Sequence, residues 1–209
     1  MRLSLLGPEF RFYELFTAQS DHLVATARLL REAIFRFPLI TEPGAKIHEL
    51  GGLMEEISNE INRELSMTSI RAMDREDVHE LNHSFTLSSN AVRGIVSRLG
   101  LYGLRTVAPS VQELAEDLVE MAGQVPKILE VVNRAQRIGD LSTSIAEIRR
   151  EFDRFLLVGL GELYESEPST NADVMEIVKW SQIYDRFEEA MNSIHRITTI
   201  LESIVLKGL

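Results

Sequence analysis

The chain has 209 residues, 44% of them hydrophobic and 26% charged, a balance that suits a soluble globular core and excludes a disordered chain. Its formal net charge of −10 repels a phosphate backbone, and the basic residues are scattered among acids, so nucleic-acid binding is not expected. The absence of cysteine removes disulfides, thiolate nucleophiles and thiolate zinc sites together.

Aromatics are only 7%, and long stretches are built from Leu, Ile, Ala, Glu and Arg, which favours helix over sheet. No apolar run approaches the roughly 20 residues that span a bilayer, so direct membrane insertion is not expected. The N-terminal MRLSLLGPEFRF lacks a full apolar region and a small-residue cleavage site, and a cytoplasmic location follows as the expectation.

Pro8 can open a first helix, because its missing N–H would be unpaired there. Phe12, Phe16, Leu23, Ala27, Leu30 and Ile34 then recur at three-, four- or seven-residue spacing, and Pro38 with Pro43-Gly44 is expected to close the helix in a loop. Ile47, Leu50, Met54, Ile57 and Ile61 give a second helix, whose Gly51-Gly52 points to close packing of a neighbour or to a lost side-chain function.

Asp74 is the expected N-cap of a third helix, with Asp77 imitating a capping box and Val78, Leu81, Phe85, Val92, Ile95 and Leu99 facing inward. The segment LGLYGLRTVAP then joins two halves. Ser110 is expected to cap a fourth helix, with Val111, Leu114, Leu118 and Met121 inward and Pro126 kinking it. Asp140 or Ser142 opens a fifth, facing Ile145, Ile148, Phe152, Phe155 and Leu163 to the core.

Pro168 to Asn171 reads as a turn, and a last helix runs from about Ala172 to Lys207. Its stripe, Tyr184, Phe187, Met191, Ile194, Thr198, Leu201 and Val205, alternates three and four, which suits near-parallel helix packing. No segment sustains period-two alternation between hairpin turns. The expected fold is all-α: six helices as two up-down three-helix bundles, about 8–100 and 109–209, within one elongated domain. The likeness of Asp77-Val78-His79-Glu80-Leu81 to Asp173-Val174-Met175-Glu176-Ile177 is a weak hint of duplication.

His79-Glu80-Leu81-Asn82-His83 satisfies the H-E-x-x-H pattern, in which two histidines one turn apart share Zn²⁺ and the glutamate activates its water. A catalytic site needs a third ligand. Thr86 and Ser89 stand where the metzincin continuation wants Gly and His, and Glu113, Glu116 and Glu120 are ordinary residues of an acidic helix. Glu76-x-x-His79 and Glu80-x-x-His83 have the spacing of di-iron bundles, but no second helix supplies a matching motif. The plainer expectation is two surface or interface histidines.

Phe12-Tyr-Glu-Leu-Phe16 with Asp21-His22-Leu23, then Met73-Asp-Arg-Glu-Asp77, then Val178-Lys-Trp180 with Ile183-Tyr184, Glu188-Glu-Ala190 and the ending Ile200-Leu-Glu-Ser-Ile-Val-Leu-Lys207 span nearly the whole chain. On these segments it resembles the PhoU-like phosphate-transport regulators, and within them the accessory proteins of Pit-type inorganic phosphate transporters. The resemblance implies paired three-helix bundles, a cytoplasmic place that a transporter can make peripheral to the membrane, and regulation of phosphate uptake by protein contact rather than catalysis. A homo-oligomer is expected with it.

The resemblance also implies divalent or iron-type metal ions held by carboxylate pairs one turn apart, on the second, third, fifth and sixth helices. In this sequence those positions carry Gly51 and Glu55, Thr86 and Asn90, Arg149 and Asp153, and Glu188 and Asn192. Each of the first, third and fourth pairs follows core positions and therefore sits about 100° around from the core stripe. With single carboxylates in three pairs and none in the other, the expectation is no cofactor or a weakly held ion. The candidate metal residues are Glu55, Asp153 and Glu188, with His79 and His83 lying above Thr86 and Asn90 on one helical stripe. A zinc hydrolase, or a helical interaction protein unrelated to phosphate, are the rival readings.

Overall fold

A computed structural model describes residues 8–67, 74–134, 136, 139–165, 168 and 170–208, with the side chains of 8–10 and 208 left aside. Met73 and the residues before Pro8 lie outside this set, as does Ser169 of the expected turn. The described helices are α1 (Pro8–Phe35), α2 (Thr41–Met67), α3 (Arg75–Leu101), α4 (Pro109–Ala122), α5 (Val125–Asn133), α6 (Leu141–Glu165) and α7 (Asn171–Gly208). No strand occurs among the described residues.

The apolar stripes explain which faces are buried. Every stripe residue named for the first, third and last helices is inside, down to Thr198, whose hydroxyl donates to the His195 carbonyl one turn back at 2.7 Å. In α2 the stripe is narrower: Ile47, Met54 and Ile61 are buried, whereas Leu50 and Ile57 are half-exposed. In α6, Phe155 and Leu163 pack at the edge of the core, and Leu156 is the buried neighbour.

The helix boundaries correct four expectations. Pro43-Gly44 does not lie in a loop: α2 starts at Thr41, and both residues are buried in its first turn, where the absence of a proline N–H costs no intrahelical bond. Asp74 is the N-cap of α3 by backbone geometry, but its carboxylate caps nothing. Ser110 is the second residue of α4, behind the N-cap Ala108 and Pro109, and its hydroxyl meets the Tyr184 hydroxyl at 3.2 Å. The fourth helix of the six-helix plan is interrupted at Gly123-Gln124 rather than kinked, so Pro126 falls in the first turn of α5, where its missing N–H is tolerated.

A capping box does form, though at the start of α7: the Thr170 N–H donates to Asp173 Oδ2 at 2.8 Å, and the Asp173 N–H to Thr170 Oγ1 at 3.2 Å. The similar strings at the starts of α3 and α7 therefore play different parts. Val78 is fully buried and Val174 is exposed.

Helices α1, α2 and α3 pack on one another, and α4 packs on α6, with α5 and α6 against α7. The two sets share one continuous core along an extensive α3–α7 seam and a second contact of α1 with α4. Phe16 stacks on Phe85 within it, ring centroids 6.1 Å apart. A buried polar chain crosses this apolar interior: Gln19 Nε2 donates to Asn82 Oδ1 at 3.0 Å, and Asn82 Nδ2 to the Ser58 carbonyl at 3.2 Å. Such a chain fixes the relative register of α1, α2 and α3, because any slip leaves buried amides unpaired.

Candidate functional site

Two places on the helix edges gather the residues singled out for chemistry. Between α2 and α3, Arg93 crosses Gly51 so closely that a Cβ there would lie 2.5 Å from Arg93 Cδ. Its Nη1 donates to Glu55 Oε1 at 2.6 Å and to Asn90 Oδ1 at 3.4 Å. Gly51 is thus explained by close packing, the first of its two expected causes. Nothing lies within 4 Å of a Cβ at Gly52.

Between α6 and α7 the pattern repeats with a different arginine. Arg149 Nε donates to both carboxylate oxygens of Asp153, at 2.9 and 3.1 Å, and Nη1 donates to Asn192 Oδ1 at 2.5 Å. His195 sits beside this group, and its pKa is lowered by burial and then by the Arg149 charge, with Glu202 and Asp153 opposing.

At each place a guanidinium therefore bridges one carboxylate and one asparagine oxygen from two helices. These donor sets do not fit a hard divalent cation, which needs about six oxygens and no positive charge among them. Among the described residues, no three His, Asp or Glu side chains converge as a metal-holding group. Glu188 is exposed on α7, beside Asp185 and Glu189 in an open groove toward α3.

The histidine stripe is also placed. His79 and His83 are both exposed on α3, and Thr86 Oγ1 donates to its own Asn82 carbonyl at 3.1 Å. Glu80, the general base of a hydrolase reading, instead accepts a hydrogen bond from Arg196 on α7 at 3.2 Å.

The ends of α3 and α7 are joined by Lys207. Its Nζ donates to Asp74 Oδ2 at 3.0 Å and to Asp77 Oδ1 and Oδ2 at 3.0 and 2.8 Å. These hydrogen bonds, from Asp77 first and Asp74 next, raise the lysine pKa. Two segments singled out in the sequence, the acidic start of the third helix and the end of the last, thus meet in space. Acids at a helix start and a base at a helix end also suit both dipoles.

The whole-chain comparisons bear on this geometry. The chain superposes on the crystal structure of a PhoU-like protein from Shewanella oneidensis MR-1 with a TM-score of 0.74, covering 93% of this chain and 99% of that one at 16% identity. The fold is PhoU-like. A second PhoU-like phosphate regulatory protein of that organism, itself so described only putatively, gives a TM-score of 0.69, covering 96% and 99% of the two chains at 16% identity.

In sequence, the chain is 23% identical over 208 residues to a protein named as a putative Pit accessory protein in Rhizobium meliloti (strain 1021), spanning 98% of this chain and 96% of the relative. It is 20% identical over 148 residues to UPF0111 protein YkaA of Bacillus subtilis (strain 168), spanning 70% of each. No family profile matches the chain. The PhoU-like resemblance read from its segments is thus matched along the whole length.

Arg93, Arg196 and Lys207, which complete these contacts, are absent from the sequence-derived site. Each acts from another helix, 38 to 133 positions away from its acid in the chain. Only Arg149, four residues before Asp153, had a local signal.

Proposed function

We propose that the chain is a non-enzymatic accessory regulator of inorganic phosphate uptake, acting at the cytoplasmic face by direct contact with a Pit-type transporter. The observation that carries this reading is the end-to-end match to a protein named as a putative Pit accessory protein, on a PhoU-like fold. In the same reading, the guanidinium groups of Arg93 and Arg149 take the place of bound cations, holding α2 to α3 and α6 to α7 without a metal. Self-association, expected with the PhoU-like resemblance, is part of the proposal.

No helix of the described residues is long and apolar enough to cross a membrane, so on this reading the transporter supplies the membrane anchor. The groove sets Glu80, Asp185, Glu188 and Glu189 against Arg196 and His195, and Arg196 already donates to Glu80, so the excess of carboxylates disfavours phosphate itself. Regulation then proceeds through contact and not through capture of the transported anion. Affinity purification of the tagged chain from detergent-solubilised membranes that contain the Pit-type transporter tests the contact. Retention of the transporter, resistant to a non-cognate membrane-protein competitor, is expected; its loss in every wash condition would contradict the proposal.

A further inference from the structure

At the end of the molecule where α4 begins and α6 ends, a cavity of about 610 Å³ opens against α7. Its floor is aromatic. Trp180 and Tyr184 are both mostly buried, with ring centroids 6.1 Å apart. The Tyr184 hydroxyl is held by Ser110, and Gly159 leaves room for it, since a Cβ there would come within 2.5 Å of that oxygen. Val107, Leu163 and Ile177 add apolar walls.

The rim is acidic. Glu162, Asp173 and Glu176 line it, and among the described residues no ion pair holds Glu162 or Glu176 and no Lys or Arg joins the lining. Tyr164 of α6 and Val174, Met175 and Val178 of α7 are exposed apolar residues on the same two helices. A volume of this size lies within the range of side-chain and small-ligand pockets.

We propose that this cavity is a docking pocket for a basic, partly apolar segment of the transporter, with a lysine or arginine side chain lying over Trp180 between Glu162 and Glu176. Such a side chain has an apolar stem and a cationic head, matching floor and rim in turn. Tryptophan is the best aromatic partner for a cation, and an unpaired carboxylate adds a charge-assisted hydrogen bond. A phosphate is the wrong occupant of a rim without a cation. Cytoplasmic loops of membrane proteins carry an excess of Lys and Arg, which supplies the complementary charge. Only the identity of the partner rests on the functional reading above.

Trp180 is the only tryptophan of the chain, so its emission reports on this pocket directly. The full chain is titrated with a synthetic peptide of alternating leucine and arginine, with the same peptide carrying glutamate for arginine, and with arginine amide alone. The expected result is a saturable change in Trp180 emission with the basic peptide only, weakened about tenfold in the Glu162→Gln, Glu176→Gln double variant. That variant keeps the wild-type far-UV circular dichroism and melting temperature, because both glutamates are exposed.

Equal response to the acidic peptide, no response at all, or undiminished binding by the double variant would overturn the pocket. Arginine amide binding as tightly as the peptide would overturn docking in favour of a small organic cation. Membrane purification separates the two readings. Transporter retained equally by wild type and double variant overturns the pocket and leaves the function standing. Peptide binding without transporter retention overturns the assigned partner together with the functional reading.

Discussion

The Arg93 guanidinium bridges Glu55 and Asn90, and the Arg149 guanidinium bridges Asp153 and Asn192, so each half of the molecule draws oxygens from two helices toward one positive centre. These contacts are partly exposed, so each is worth little alone: Arg149→Ala is expected to cost about 1 kcal/mol in urea unfolding. Because the centre is already cationic, protein purified without added metal is expected to hold far less than one metal ion per chain by elemental analysis. Chelator should leave its melting temperature unmoved; a stoichiometric ion, or a chelator-sensitive melt, would contradict the placement of the arginines.

Asp117 is the other telling side chain. It is buried on α4, its Oδ2 has no partner among the described residues, and its pKa is pushed up to about 7. Burial is the main cause, helped by Glu120, Glu113 and Glu151 and opposed by Arg154. A carboxyl that stays protonated in the fold while it ionises in the unfolded chain favours the fold at low pH. That advantage is lost as pH rises from about 4 to about 7. Asp117→Asn is therefore expected to be about 1–3 kcal/mol more stable relative to wild type at pH 8 than at pH 4, measured by urea unfolding at the two pH values.

At the scale of the helix, the two adjacent glycines of α2 separate cleanly. Gly52 has open space around it, so Gly52→Ala should stabilise the protein by about 1 kcal/mol through helix propensity alone. Gly159→Ala should instead destabilise by about 1–3 kcal/mol, because its methyl group meets Tyr184 and disturbs the Ser110 contact. Thermal melts of the two variants check both signs.

The helices themselves were legible because their apolar residues keep a 3.6 period, as in Val78, Leu81, Phe85 and Val92 of α3. Caps were less so. Asp74 has a capping residue's identity but its carboxylate is drawn to Lys207, 133 positions away, and Ser110 is drawn to Tyr184. The H-E-x-x-H string was legible as letters only, since the partner that decides Glu80, Arg196, comes from α7. Tertiary partners have no periodic signature, and that is why the polar contacts were missed where the apolar ones were found.

For the molecule as a whole, the α3–α7 seam and the single core tie the helices into one PhoU-like body. Accessory regulation of a Pit-type transporter makes a prediction that no feature of the isolated chain can mimic. Initial rates of radiolabelled phosphate uptake are to be compared in cells expressing the transporter alone, the transporter with this chain, and the chain alone. The chain is expected to change the transporter-dependent rate several-fold while transporter abundance stays constant, and the chain alone to transport nothing. An uptake rate identical with and without the chain, at equal transporter abundance across the phosphate range, would contradict it.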